Sequence, residues 1–249
     1  MNIHIFKKGI QKRIGRILGH RTYDKCIILA RSRTGSTLLL SYLNCHPRIY
    51  IGGEEFAVLG SKNWKKVWDT FFCRYPFSAR WVGFKIFYYH PRDKACEDLW
   101  NYLQKDKSIH IIHLVRKNRL RSIVSKEVGL KQGVWTSIDA KKQKQKIAKK
   151  VFLDPHKCVE YLEQSEKWEK QARSQFADHP LIEITYEDLV LNKQKTLNSV
   201  FTFLGLSPKP VRTELKKQNP EKLRDLVENY DDLVKILKAE GFGHFVTDD

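Results

Sequence analysis

The chain has 249 residues, 46 lysines and arginines against 28 aspartates and glutamates for a formal charge of +18, and a hydrophobic fraction of 41%. That length suits one sizeable α/β domain, the apolar fraction excludes wholesale disorder, and the charge points to anionic partners: a nucleotide, a nucleic acid, an acidic glycan or an anionic lipid. Cys26, Cys45, Cys73, Cys96 and Cys158 are odd in number, scattered and free of CxxC spacing, which argues against a disulfide framework or a zinc site and fits a reducing compartment.

Residues 1–22 are a basic segment in which Ile5, Phe6, Ile10, Ile14, Ile17 and Leu18 are interleaved with lysine and arginine. No uninterrupted apolar core follows, so neither a signal peptide nor a transmembrane helix is expected. A short amphipathic helix is, either packed on its own domain or lying on an anionic membrane surface. The expected location is the cytoplasm, with at most peripheral membrane contact.

Residues 23–249 read as one domain, without internal repeat or Pro/Gly/Ser linker. Cys26–Ala30 is a short continuous apolar run, as in a strand covered on both faces, and Ser36–Cys45 has helical length. Trp81–Tyr89 predicts a second strand, followed by a helix over Lys94–Gln104. Ser108–Arg116 predicts a third, leading into a helix over Asn118–Val128; its His110 and His113 point to opposite faces of a strand, so no metal pair is expected. Lys141–Lys150 is a basic run suited to a solvated face. Pro155–Ala177 has helical spacing, Pro180–Tyr186 predicts another strand, and Leu189–Leu204 a helix closed by Gly205 and Pro208. A last helical pattern covers Leu223–Leu237. Alternating strands and helices imply an α/β protein with a central, mainly parallel sheet flanked by helices, whose ligands sit beyond the carboxyl ends of the strands.

The loop after Ala30 reads Arg31-Ser32-Arg33-Thr34-Gly35-Ser36-Thr37. A helix opening there exposes unpartnered N–H groups and the positive end of its macrodipole, Gly35 admits close backbone approach, and the hydroxyls and guanidinium groups add donors and charge. A phosphate or sulfate fits such a cradle. A kinase or NTPase loop would place a lysine before the hydroxyl, GxxxxGK[ST], and no lysine lies in this loop.

These residues resemble the sulfotransferases that use 3′-phosphoadenosine 5′-phosphosulfate (PAPS). Arg33-Thr34-Gly35-Ser36-Thr37 matches their 5′-phosphosulfate loop, and the spelling RSRTGSTLL looks most like bacterial carbohydrate and glycolipid members. LVRKNRLRSIVS (Leu114–Ser125) resembles the 3′-phosphate motif, with Arg116 and Ser125 in the places of its arginine and serine; Lys117 and Ser122 are the alternatives. HPRIYIGGEEF (His46–Phe56) resembles a segment whose glutamate acts on the acceptor hydroxyl, here Glu54, with Glu55 in reserve. GFKIFYYH (Gly83–His90) resembles a further segment in which Lys85 meets the sulfate or the acceptor, and His90 is a rival base. A buried Lys85 needs a partner or a sheet edge. The closing segments are also similar, with Lys216, Lys217 and Gln218 near the adenosine half.

The resemblance implies a three-layer fold of the P-loop NTPase type and transfer of a sulfuryl group from PAPS to an acceptor hydroxyl, with adenosine 3′,5′-bisphosphate (PAP) as product and no metal. Arg31–Thr37, Arg116, Ser125, Lys216 and Lys217 would bind the donor, and Glu54, Arg33, Lys85 and His90 would serve the chemistry. A carbohydrate or glycolipid acceptor is implied. Three competing classes are a P-loop kinase, which the missing lysine disfavours, a basic nucleic-acid-binding protein, and a peripheral membrane scaffold.

Overall fold

A computed structural model of the chain describes residues 11, 13–133, 150–211 and 221–247. Lys216, Lys217, Gln218 and most of the basic run at 141–150 lie outside the described residues. The chain divides into two compact units, residues 1–115 with 172–213, and residues 116–171 with 214–249.

The first unit is built on five strands, β1 (Asp24–Ala30), β2 (Ile49–Gly52), β3 (Trp81–Phe87), β4 (His110–Val115) and β5 (Leu181–Thr185), in the order β2-β3-β1-β4-β5. Every pairing is parallel. Its helices are α1 (Ser36–Leu43), α2 (Trp64–Phe71), α3 (Glu97–Lys105), the last turn of α5 (Pro155–Gln175), α6 (Tyr186–Leu191) and α7 (Lys193–Phe203). Strand periodicity sorts the sheet's side chains into two cores. Cys26, Ile28 and Ala30 pack with Leu39 and Leu43 of α1 and Leu197, Val200 and Phe201 of α7. Ile27 and Leu29 pack on the other face with Trp68 and Phe71 of α2, Leu99 and Leu103 of α3, and Phe176. This is the expected three-layer, P-loop-like α/β architecture.

Two elements are absent from the sequence expectation. β2 has only four residues and α2 follows a Gly-rich stretch, so neither has a period long enough to read. β2 is an edge strand, and Asn44 meets it: its side-chain amide donates to the Ile51 carbonyl at 2.8 Å and its carbonyl accepts from the Ile51 N–H at 3.0 Å. Gly83 in β3 is required by close packing, since a Cβ there would lie 1.9 Å from the Cys26 carbonyl oxygen of β1. The expected helix at Leu189–Leu204 begins earlier and breaks at Asn192 into α6 and α7, because Thr185 caps α6 by accepting from the Asp188 N–H at 3.1 Å. Gly205, with φ 60, closes α7 as expected.

The second unit holds α4 (Arg119–Gln132), most of α5, α8 (Leu223–Leu226) and α9 (Tyr230–Ala239) around its own core of Leu120, Val124, Leu162, Leu223 and Leu233. Asn118 caps α4, accepting from the Arg121 N–H at 3.1 Å. The single expected helix at Leu223–Leu237 is two: the chain leaves helical geometry at Val227, where Val151 bridges to it, and the Asn229 amide donates to the Leu153 carbonyl at 2.7 Å.

Candidate active site

Three strand ends in the first unit converge. β1 runs into the loop Arg31–Thr37, β2 into Gly53-Glu54, and β3 carries Lys85 and then Tyr88–His90. The β1 loop turns through two left-handed residues, Arg33 at φ 66 and Gly35 at φ 87. For Gly35 this costs nothing special, and any Cβ there would sit 2.4 Å from the Tyr186 ring. For Arg33 the same region costs roughly 1–2 kcal/mol, strain of the kind that clusters at functional sites. The loop is closed by Thr34, whose hydroxyl donates to the Arg31 carbonyl at 2.7 Å. Gly35 caps α1 with no side-chain hydrogen bond, and no acidic residue occupies the first turn. The helix therefore presents backbone N–H groups and the positive macrodipole end, as the anion cradle requires.

Lys85 sits inside the sheet on β3, flanked by β2 and β1, and is buried. Of the two solutions open to it, the structure uses a partner, not an edge. Its ammonium donates to the Thr37 hydroxyl at 3.0 Å and pairs with Glu54 Oε1 at 3.1 Å. The carboxylate after β2 and the hydroxyl of the β1 loop thus share one cation. The other Glu54 oxygen, Oε2, lies 3.6 Å from Nε2 of His90. That nitrogen is buried without a hydrogen-bond partner, whereas Nδ1 accepts the Phe87 N–H at 3.3 Å. With its Nδ1 lone pair engaged, a neutral His90 carries its proton on Nε2, facing Glu54. Burial holds the ring well below its ordinary value, at about 4. Glu55 turns away, accepting the Gly53 N–H at 3.1 Å.

Ser32 hydrogen-bonds the Tyr89 hydroxyl, whose pKa burial raises. Next to it in the chain stands Tyr88. Its hydroxyl lies 2.7 Å from Nε2 of His113, and His113 Nδ1 donates to Glu183 Oε2 at 2.8 Å. Arg173 grips the same carboxylate through two contacts of 2.7 and 3.1 Å. The His113 hydrogen bond, followed by that of Arg173, pulls Glu183 down to about 2. His110 faces the opposite side, against Trp81 and Phe203, as alternation along β4 demands. Only the sheet order, with β1 between β3 and β4 and β5 beside β4, assembles the Tyr88–His113–Glu183 chain.

In the second unit, Arg116 directly follows β4 and is half-buried, while Lys117 is exposed. Ser122 is buried and Ser125 half-buried, one turn apart on α4. Arg119 is committed to Glu169 through contacts of 3.3 and 2.7 Å, and Arg121 donates to the Glu221 carbonyl at 2.6 Å. Among the described residues no cluster of three His, Cys, Asp or Glu side chains could hold a metal ion.

The family model of the Stf0 sulphotransferases matches residues 105–232, just over half of the chain. The chain belongs to the Stf0 sulphotransferase family. It is a sulfotransferase. Nodulation protein H of Rhizobium tropici is 26% identical over 240 residues, covering 88% of this chain and 91% of that protein. A crystal structure of a sulfotransferase from Alicyclobacillus acidocaldarius aligns over 89% of this chain and 92% of its own, at 16% identity and a TM-score of 0.46.

Proposed function

We propose that this sulfotransferase moves a sulfuryl group from PAPS to a hydroxyl of a carbohydrate or glycolipid, with Glu54 as the base. The observation that carries this reading is the chain Glu54–Lys85–Thr37, in which an acid able to face an acceptor is tied within hydrogen-bond distance to the loop built for the donor's phosphosulfate. When bound, PAPS supplies the activated sulfuryl group. The α1 amides, Arg33, Ser36 and Thr37 bind and orient its 5′ end, and Lys85 adds positive charge where negative charge develops. Glu54 takes the acceptor proton, a contribution of about 10² to 10⁴ in rate for a positioned general base.

The geometry favours Glu54 over both rivals. Glu55 is folded back on its own loop. His90 is buried with its lone pair engaged by the Phe87 amide, so it has none left to take an acceptor proton. Arg116 and Ser125 are assigned to the 3′-phosphate by the motif resemblance, and the burial of Arg116 against the exposure of Lys117 supports the first of that pair. Both units belong to one sulfotransferase domain from residue 23 onward, a reading supported by the family match, which runs through residues of each. We place the enzyme in the cytoplasm. Among the described residues no helix is long and apolar enough to cross a membrane, and Ile14, Ile17 and Leu18, all exposed between arginines, are where it would touch a membrane surface.

Thermal unfolding of the full chain tests the donor. PAP at about 100 times its Kd raises stability by about 2.7 kcal/mol, while ATP with magnesium has no comparable effect. Stabilisation by ATP with magnesium and not by PAP overturns the reading in favour of a kinase.

A further inference from the structure

Before β1 the chain forms a helical segment at 13–18, which seats on the loop leading into β3. It seats through glycine: a Cβ at Gly15 or Gly19 would collide with the Tyr75-Pro76 backbone, so no larger side chain fits between the two segments. Just past the helix, His20 and Tyr75 exchange both backbone hydrogen bonds at 2.9 Å, and Arg74 Nη1 donates to the Ile17 carbonyl at 3.4 Å. The aliphatic residues point elsewhere. Ile14, Ile17 and Leu18 recur at the spacing of one helical face and stay 54%, 75% and 68% exposed. Phe77, in the loop on which the helix sits, is 78% exposed and stacks on His20 with ring centroids 5.6 Å apart. The helix thus packs on its own domain by its glycines and leaves its apolar side chains in solvent.

Charge on this face has one sign. Residues 11–23 and 72–80 hold Arg13, Arg16, Arg21, Arg74 and Arg80, all exposed, and no aspartate or glutamate. Exposed apolar side chains rimmed by polar ones mark an interaction site, and the charge selects its occupant. A second copy set face to face would bring like charges together. A specific protein interface takes about 20–30 residues a side, more than one short helix and one loop supply. Nucleic acid would engage the arginines but gains nothing from isoleucine and leucine. An anionic bilayer uses both, headgroups against guanidinium groups and acyl chains against the aliphatic side chains. The location suits an enzyme. The face lies beside the start of β1, whose 7 residues rise about 3.3 Å each toward the Arg31–Thr37 loop, so a surface held here leaves the donor loop uncovered.

We propose that Ile14, Ile17, Leu18 and Phe77, ringed by Arg13, Arg16, Arg21 and Arg74, seat the protein on a bilayer of anionic phospholipid, with the Gly15 and Gly19 dock holding the helix ready on the domain surface. The proposal rests on the peripheral membrane contact stated under the proposed function, and adds the lipid class and the docked face. Flotation of the full chain at 0.15 M salt tests it, with vesicles of three parts phosphatidylcholine to one part phosphatidylglycerol against vesicles of phosphatidylcholine alone. Wild type binds the anionic vesicles at least tenfold better. Ile17→Ser/Leu18→Ser, which keeps every charge, weakens that binding about tenfold or more, and Arg13→Gln/Arg16→Gln does the same. Lys235→Gln/Lys238→Gln removes as much charge from α9 and changes binding less than twofold. All three variants keep the wild-type melting temperature and its rise with PAP, because the altered side chains are exposed and lie outside the donor loop. Equal binding to both vesicles leaves the membrane contact standing and overturns the anionic-lipid proposal. Binding lost in the arginine variant but not in the aliphatic one marks a surface for soluble polyanions and overturns it, as does an equal loss in the α9 variant. No flotation with either vesicle overturns both the proposal and the contact it rests on.

Discussion

Burial keeps the His90 imidazole uncharged, with Glu54 opposing that shift and Arg92 and Lys85 adding to it. The folded value of about 4 lies below the ordinary 6.5, so below 6.5 the unfolded chain binds more protons than the native one and stability falls on acidification, through a window that closes near pH 4. The loss is on the order of 3 kcal/mol, and denaturant melts of His90→Gln between pH 7 and 4 show a shallower decline than wild type. At Arg33 the backbone and the side chain separate cleanly. Arg33→Gly relieves a left-handed φ of 66 while deleting the guanidinium, so turnover drops about 10² to 10³ with a melting temperature equal to or above wild type. Wild-type turnover in that variant would remove Arg33 from the donor site.

Elements hold the site through a few specific pairings. Asn44, at the end of α1, supplies edge strand β2 with the partner groups that a further strand would otherwise provide. Asn44→Ala costs about 1–3 kcal/mol in unfolding free energy and loosens the Gly53-Glu54 turn, so activity falls more than stability alone predicts. On β5, opposite His113 of β4, Glu183 has a folded value of about 2 against an ordinary 4.5. Its contribution is fully present above pH 4.5 and is lost as the pH falls toward 2. Glu183→Gln therefore flattens the acid limb of the stability curve in that range, a slope that circular dichroism melts measure. The long, regularly patterned elements β1, β3, β4 and α5 are legible in the sequence because burial repeats along them. β2 and α2 are too short to show a period, and the breaks at Asn192 and at Val227–Asn229 come from capping and bridging contacts that a helical pattern does not display.

For the whole molecule, a formal charge of +18 implies weak retention of DNA at low salt that disappears steeply as salt rises. Stabilisation by PAP survives 0.3 M salt better, because amides and partly buried side chains are screened less than surface charge; equal loss of both in parallel titrations would count against a built nucleotide site. The sequence by itself determined the alternation of strands and helices and the residue types of the anion loop, since both depend on neighbours within a turn or two. It also led to Glu54 as the base, with Glu55 in reserve and His90 as a rival, and to Lys85 beside them, on motif resemblance alone. Only the tertiary structure decided that Lys85 joins Glu54 to Thr37, that Glu55 turns aside, that His90 is buried with one nitrogen engaged, and that Tyr88, His113 and Glu183 form one chain. Those contacts lie between residues 25 to 70 positions apart or hang on a rotamer, and only the register of parallel strands brings such groups within hydrogen-bond distance.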